Sequence, residues 1–143
     1  MTNIPTLKDI KFGPMPAIEG LEVRVLDVDL DRQIADAVFR FPPNQLVAMH
    51  RHVSQTNMMI LDGELQIFEE DGSIRDRRTA GKYYRGTRDD AHTEGGGPDG
   101  AIVLYSVRGH GVAEIIEILD DKGDVLGALT FNDVAAIEAA QSA

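Results

Sequence analysis

The sequence predicts an all-β protein, a sandwich or barrel of about eight short strands joined by tight turns. Three observations support this class. Residues 21–30 alternate apolar and charged side chains for much of their length, as a half-buried strand does. Asp62-Gly63 and Asp71-Gly72 are hairpin signals, because Asp-Gly tolerates the positive φ of a type I′ turn. Turn residues divide the middle of the chain into short strand-like runs, which argues against a parallel α/β sheet.

The remaining elements follow from local composition in chain order. Residues 1–20 contain three of the six prolines and no periodicity, so they are predicted to form an extended arm over the domain or a neighbouring subunit. Pro42-Pro43 ends a strand, because proline cannot donate to a β-ladder. The predicted strands are 21–30, 37–40, a strand beginning at 45 and reaching 52, 58–61, 64–69, 82–85, 101–107, 112–119 and 125–131.

The glycine-rich run and the C-terminal segment complete the predicted organisation. Residues 94–100, Glu-Gly-Gly-Gly-Pro-Asp-Gly, are predicted to be a loop, and residues 120–124 a turn. Asn132 is predicted to cap a short helix over residues 133–141, with Asp133 in its first turn. The predicted division is therefore an arm at 1–20, a barrel at 21–131 and a short helix at 132–143.

Composition restricts the functional classes. The chain has 143 residues, 43% apolar and 27% charged, which fits one globular domain. A net charge of -10 argues against nucleic acid and against anionic membranes as partners. There is no cysteine, so disulfides and thiolate metal sites are excluded. No secretory signal or transmembrane run is visible, and a cytoplasmic location is predicted.

His50 and His52 are the most informative residues. Side chains two apart on a strand point to the same face, so both imidazoles can converge on one point and form half of a metal site. The alternative is an exposed strand that carries His twice. His92 is a candidate third ligand, since forty residues allow two hairpins and a return beside this strand. His110, between two glycines, is a less favoured candidate that is either exposed or an acid or base at the site.

These residues resemble the first conserved motif of the cupin superfamily. That motif has two histidines separated by one residue, then a glutamate, and then a glycine after six intervening residues. Here His50 and His52 are followed by Thr56 at the glutamate position and by Gly63 at the glycine position. The usual metal-binding glutamate is therefore absent from this motif, and a site of three neutral histidines would keep the full 2+ charge of its metal.

The second cupin motif is matched more weakly. Gly81 and His92 stand at its first glycine and its histidine. Thr87, Asp89 and Gly96 replace its proline, second glycine and asparagine. The two motifs and the flanking strands cover most of the chain, and the resemblance implies a single-domain jelly-roll β-barrel with at least a dimeric assembly, a homodimer or homotetramer.

Three-histidine cupins of this kind resemble the acetylacetone-cleaving dioxygenases, which split β-diketones with O2 at iron(II). The resemblance implies iron(II) on His50, His52 and His92, a β-dicarbonyl substrate and O2, although zinc, nickel or manganese also suit such ligands. It further implies that Tyr83, Tyr84, Arg85 and Gln55 are candidates for lining the pocket, with catalytic roles for Tyr84, Arg85 and Gln55. The alternatives are barrel packing for the two tyrosines and a surface ion pair for Arg85.

A second relative by pattern is the cupin domain of ChrR-type anti-sigma factors, which implies zinc and a regulatory role without catalysis. A third possibility is an isomerase or another small-molecule cupin, because a fold does not determine its chemistry. The sequence contains no visible DNA-binding or sigma-binding helical region, and this favours the enzyme. The sequence-based prediction is thus a metal-dependent dioxygenase, with a zinc-binding sensor or binding module as the alternative.

Overall fold

A computed structural model describes residues 7–142, which form a mostly β structure with one C-terminal helix. The all-β prediction is confirmed. The strands are β1 (Gly13–Pro14), β2 (Glu22–Asp29), β3 (Ile34–Phe41), β4 (His50–His52), β5 (Gln55–Phe68), β6 (Ile74–Thr79), β7 (Tyr83–Tyr84), β8 (Asp90–Arg108), β9 (Glu114–Leu119) and β10 (Val125–Thr130), and the helix is α1 (Phe131–Gln141).

The strands form one curled antiparallel sheet in which β8 is the central element. The order along the sheet is β1-β2-β3-β8-β4-β9-β10, while β5 pairs with β6, β7 and β8. The first part of β8 pairs with β4, and its second part, from Ala101 to Arg108, pairs with β3. A single long strand therefore joins the two layers of the curled sheet and carries side chains into the space between them.

The interior of the curled sheet is apolar. Strands β2, β3, β5 and β8 each alternate buried and partly buried positions over part of their length, as strands with one core-facing side do. The largest buried side chains include Phe41, Ile60, Leu65 and Ile67. Helix α1 contributes Phe131 and Val134 to this core. The buried polar residues gather at one side of it, around β4 and the start of β8.

The prediction of a hairpin turn at Asp62-Gly63 is wrong. Residues 58–61 and 64–69 do not form two strands, since β5 continues through this dipeptide. The register against β8 shifts on both sides of it, which is a β-bulge. Gly63 has φ +71°, and a Cβ there would lie 2.1 Å from the Gly100 carbonyl oxygen. The positive φ that favours a turn thus serves a bulge, while Asp71-Gly72 does form the predicted β5–β6 turn.

The prediction of a loop at residues 94–100 is also wrong, because this run belongs to β8. Glycine occurs here because another segment of the backbone lies too close to leave room for a side chain. A Cβ on Gly95 would lie 2.4 Å from the Gln45 carbonyl oxygen, and one on Gly96 would lie 2.6 Å from the Pro42 carbonyl oxygen. The consequence for the site is that Glu94 occupies a fixed strand position and points to the interior.

Two further boundaries differ from the predictions. The strand predicted from residue 45 is regular only at His50–His52, with an isolated bridge at Leu46. Helix α1 starts at Phe131, and its N-cap is Thr130, not Asn132, since Thr130 and Asp133 form a capping box.

Part of the predicted arm, residues 1–6, and Ala143 lie outside the described residues. The division into arm, barrel and helix, the oligomeric state and the cytoplasmic location stay predictions. No helix within residues 7–142 is long and apolar enough to cross a membrane.

Candidate metal centre

Strand pairing brings three histidines to one face. His50 and His52 are two apart on β4 and point to the interior. His92 is directly opposite His50 in the antiparallel pairing of β4 with β8. Opposite residues in such a pair place their side chains on the same face of the sheet, close enough to interact. Arg51 points away from this face and pairs with Glu117 on β9.

The three imidazoles form a nearly equilateral cluster. Their ring centroids lie 5.0 Å apart for His50 and His52, 4.9 Å for His50 and His92, and 5.0 Å for His52 and His92. One ring nitrogen from each lies within 4.8 Å of the other two. All three residues are buried, so the cluster is shielded from bulk water. This arrangement suggests a divalent metal, because imidazole suits zinc, copper, iron and nickel.

Two of the histidines are oriented by hydrogen bonds from Nδ1. The His50 Nδ1 lies 2.9 Å from the Ala48 carbonyl oxygen, which can only accept, so this nitrogen carries the proton. The His92 Nδ1 lies 2.9 Å from Asp90 Oδ2. Both contacts leave Nε2 available, which is how metal-binding histidines are usually held. The Nε2 of His92 has no hydrogen-bond partner within the described residues.

His52 is neutral and also lacks partners. Burial, followed by the adjacent charge of His50, lowers the pKa of His52 to about 3. Neither of its ring nitrogens has a hydrogen-bond partner within residues 7–142. A buried polar nitrogen without a partner is costly, and a neutral imidazole is the form that binds a metal. These unpartnered nitrogens fit a cation between the three rings.

Asp90 connects the cluster to the surface. The Arg75 Nη1 donates to both Asp90 carboxylate oxygens at 2.9 Å, and Arg75 also pairs with Glu69. Burial opposes ionisation of Asp90, but the hydrogen bonds from His92 and Arg75 outweigh it and lower its pKa. Asp90 is therefore a carboxylate that accepts from His92 and fixes the orientation of that ring.

Glu94 is the functional residue that sequence reasoning missed. It is 4% exposed, and its Oε1 lies 3.5 Å from the His50 Nε2 while its Oε2 lies 3.4 Å from the His92 Nε2. Tyr105 donates a hydrogen bond to Oε1 at 3.0 Å. The expectation that only neutral groups face the site is thus wrong. The signal was present, because Glu94 stands two residues after His92, the same spacing that selected His50 and His52.

The charge of Glu94 is maintained despite its burial. Desolvation favours the neutral acid, but the adjacent imidazoles of His50 and His92 outweigh it and hold the pKa of Glu94 well below its ordinary value. Burial and the Glu94 carboxylate raise the pKa of the Tyr105 hydroxyl well above its ordinary value. Burial alone would lower the pKa of His92, but the carboxylates of Glu94 and Asp90 favour the protonated imidazole and raise it. The site therefore contains one buried negative charge and a phenol that stays protonated.

A cavity of about 60 Å³ adjoins the cluster. Its polar lining comes from His50, His52, Thr56, Glu94 and Tyr105. The rest of the wall is apolar and comes from Met15, Ile18, Leu21, Phe39, Phe41, Val47, Val107, Ile115, Ile116 and Leu129. The cluster thus faces a small space with few groups that can bind water.

The other predicted site residues lie elsewhere. Gln55, Tyr84 and Arg85 are not among the residues that line this cavity. Gln55 donates to the Asn57 side chain, the Tyr84 ring packs under the Arg78 guanidinium at 4.3 Å, and Arg85 is exposed, as is Tyr83. A catalytic role for Gln55, Tyr84 and Arg85 stays a prediction.

His110 lies on the exposed connection between β8 and β9. It is not one of the three histidines whose ring nitrogens cluster.

The curled β-sheet and the inward-facing histidine cluster define a cupin, the class that the sequence resembles. The sequence profile of the ChrR cupin-like domain matches residues 3–111, which is more than half of the chain. The chain therefore belongs to the ChrR cupin-like domain family. No curated protein matches it.

Solved structures confirm the fold at low sequence identity. A candidate acetylacetone dioxygenase from Methylibium petroleiphilum is 18% identical with a TM-score of 0.75, over 97% of this chain and 96% of that one. An acetylacetone dioxygenase from Acinetobacter johnsonii is 15% identical with a TM-score of 0.76, over 98% and 93%. The anti-sigma factor ChrR of Rhodobacter sphaeroides, in complex with SigE, is 18% identical with a TM-score of 0.57, over 71% and 51%.

Proposed function

We propose that this protein is a metal-dependent dioxygenase that cleaves a C–C bond of a β-diketone such as acetylacetone with O2. The observation that carries the proposal is the buried cluster of His50, His52 and His92, with free Nε2 nitrogens on two oriented rings, beside a small apolar cavity. Iron(II) bound by these histidines would chelate both diketone oxygens and promote the reaction with O2, while the diketone itself supplies the electrons that reduce O2.

The charge of the site supports an anionic ligand. The Glu94 carboxylate offsets one of the two charges of a bound dication, and a single positive charge remains. An enolate is a monoanion and balances that charge in a site from which water is largely excluded. A chelating monoanion is therefore compatible with a site that includes Glu94, although the favourable charge is smaller than three neutral histidines alone would leave.

The protein contributes orientation and exclusion of water. Ala48 and Asp90 hold the imidazole rings of His50 and His92. The Thr56 hydroxyl donates to the Ser54 carbonyl at 3.2 Å and so closes its side of the cavity without presenting a proton to the ligand. In the proposed reaction, O2 adds to the enolate, the C–C bond breaks, and one oxygen atom enters each product, a carboxylate and a dicarbonyl compound.

Oxygen uptake tests this proposal. Protein purified anaerobically and loaded with iron(II) should consume O2 on addition of acetylacetone, in a one-to-one ratio with the diketone. His92→Ala should lose both metal retention and uptake, whereas Arg32→Ala, an exposed residue of the β2–β3 turn, should keep both. Absence of O2 uptake with acetylacetone and other β-dicarbonyls, in protein that retains iron, contradicts the dioxygenase assignment.

The alternative is a zinc-binding sensor or binding module, favoured by the match of residues 3–111 to the ChrR cupin-like domain. In that case the histidine cluster holds zinc and the cavity takes a small-molecule ligand without turnover. Zinc at one equivalent per chain, combined with ligand-dependent stabilisation and no O2 uptake on any β-dicarbonyl, would support this function. The same preparation loaded with iron(II) then provides the decisive comparison.

A further inference from the structure

We infer that Glu94 is a fourth protein ligand of the metal, supplied from β8 in place of the glutamate that the first motif lacks at Thr56, and that Tyr105 positions it. The inference rests on the proposed metal site, but not on the dioxygenase reaction. It also changes the description of the centre, from three neutral nitrogens to three nitrogens and one carboxylate.

The distances fit shared coordination. Glu94 Oε1 is 3.5 Å from the His50 Nε2, and Glu94 Oε2 is 3.4 Å from the His92 Nε2. Neither contact is a well-formed hydrogen bond, since such bonds usually span about 2.7–3.2 Å. Metal–ligand bonds of about 2.0–2.2 Å place neighbouring ligand atoms roughly 3 Å apart around one ion. The carboxylate thus lies beside both nitrogens at nearly the spacing that a common cation would impose.

One oxygen of Glu94 lacks a partner. Tyr105 donates to Oε1, while Oε2 is buried and accepts no hydrogen bond within the described residues. The residue is 4% exposed, and the surrounding cavity wall is apolar. A buried carboxylate without full compensation is strongly unfavourable. The unpaired Oε2 lies next to the unpaired Nε2 of His92, and a cation between them would satisfy both atoms.

The backbone holds Glu94 in this position. Its carbonyl accepts from the Val47 amide at 2.9 Å, and Gly95 allows the adjoining segment to approach closely. Glu94 shares the inward face of β8 with His92 because the two are two residues apart. At the motif position, by contrast, the Thr56 hydroxyl donates to the Ser54 carbonyl and offers only a neutral oxygen. The carboxylate therefore reaches the cluster from the opposite strand.

A structural ion pair is the competing explanation. Glu94 would then stabilise protonated His50 or His92, and its removal would free the imidazoles for metal, with affinity unchanged or higher. A ligand role predicts the opposite effect on affinity and an altered electronic spectrum of the metal. The two explanations therefore differ in direction, and a metal titration separates them.

The test uses Co(II) titration of the metal-free protein, read by visible absorption. Glu94→Gln keeps the shape of the side chain and should weaken Co(II) binding at least about tenfold and shift the absorption bands. Tyr105→Phe removes only the donor to Oε1 and should weaken binding by about tenfold. Glu64→Gln, which replaces a β5 carboxylate paired with Arg77, is the matched control and should bind as the wild type does.

The outcomes are separable. Wild-type affinity and an unchanged spectrum in Glu94→Gln would overturn the inference, and so would tighter binding. If Glu94→Gln does not fold, as judged by circular dichroism, unchanged affinity in Tyr105→Phe overturns the positioning role and the ligand geometry with it. Failure of the wild type to bind Co(II) overturns both this inference and the metal site. Failure of O2 uptake alone overturns the dioxygenase and leaves Glu94 as a ligand.

Discussion

Asp90 provides a sensitive test of how the centre is built, because it contacts a predicted ligand and is not one itself. Its Oδ2 accepts from the His92 Nδ1 at 2.9 Å, which keeps the proton on Nδ1 and leaves Nε2 for the metal. In Asp90→Asn the amide oxygen can still accept this hydrogen bond, so the substitution removes mainly the charge. In Asp90→Ala both the charge and the hydrogen bond are lost.

The expected magnitudes follow from the surroundings of this carboxylate. Hydrogen-bond partners of metal-bound histidines typically contribute about 10- to 100-fold to metal affinity. The Asp90 side chain is 33% exposed and forms an ion pair with Arg75. The effect of its charge on metal affinity is therefore expected at the lower end of this range. Asp90→Asn should therefore weaken metal binding about tenfold, or about 1.4 kcal/mol, and Asp90→Ala should weaken it further.

Competition with a chromophoric chelator at neutral pH measures these affinities for zinc. Asp76→Asn is the matched control, since Asp76 also forms an ion pair with an arginine, Arg78, and its side chain is 41% exposed. This variant should bind zinc like the wild type. If Asp90→Ala also binds zinc as tightly as the wild type, the orientation of His92 does not depend on Asp90, and the proposed role of this hydrogen bond is refuted.

Two further predictions concern stability. In metal-free protein, the low folded pKa of His52 contributes stability that is present above its unfolded pKa and is lost as the pH falls toward about 3. Urea denaturation of His52→Asn should thus show a decrease in the free energy of unfolding, between about pH 7.5 and pH 5, that is roughly 2 kcal/mol smaller than in the wild type. An equal decrease in the two proteins would contradict this. Gly63→Ala should lower the free energy of unfolding by about 2–4 kcal/mol, because the new Cβ would both disfavour the positive φ and overlap the Gly100 carbonyl. Gly72→Ala, with positive φ but open space, should cost about 1–2 kcal/mol, and equal losses would rule out the overlap.

The sequence was sufficient to predict the histidine cluster. His50 and His52 follow from the two-residue repeat of a strand, and His92 follows from the distance that two hairpins need. The resemblance to the cupins is confirmed by the family match and by the solved structures. Strand β2 and the turn at residues 120–124 also agree with the local pattern. These features depend on local spacing, which is visible in one sequence.

The features that were missed depend on tertiary contacts. The Gly-rich run from Glu94 onward has the composition of a loop, but glycine is present there because the 42–46 segment approaches its backbone. Asp62-Gly63 likewise supplies a positive φ that a bulge opposite Gly100 requires. Neither neighbour can be inferred from the local sequence. Placing Glu94 in a loop concealed its two-residue spacing from His92 and with it the carboxylate of the site.

X-ray absorption at the zinc edge, on protein loaded with one equivalent of zinc, would identify the ligands of the metal. We expect scattering from three imidazoles and one carboxylate, with bonds of about 2.0–2.2 Å. Glu94→Gln should remove the carboxylate contribution and leave the three imidazoles in place. Two or fewer imidazoles in the wild type would contradict a centre built on His50, His52 and His92.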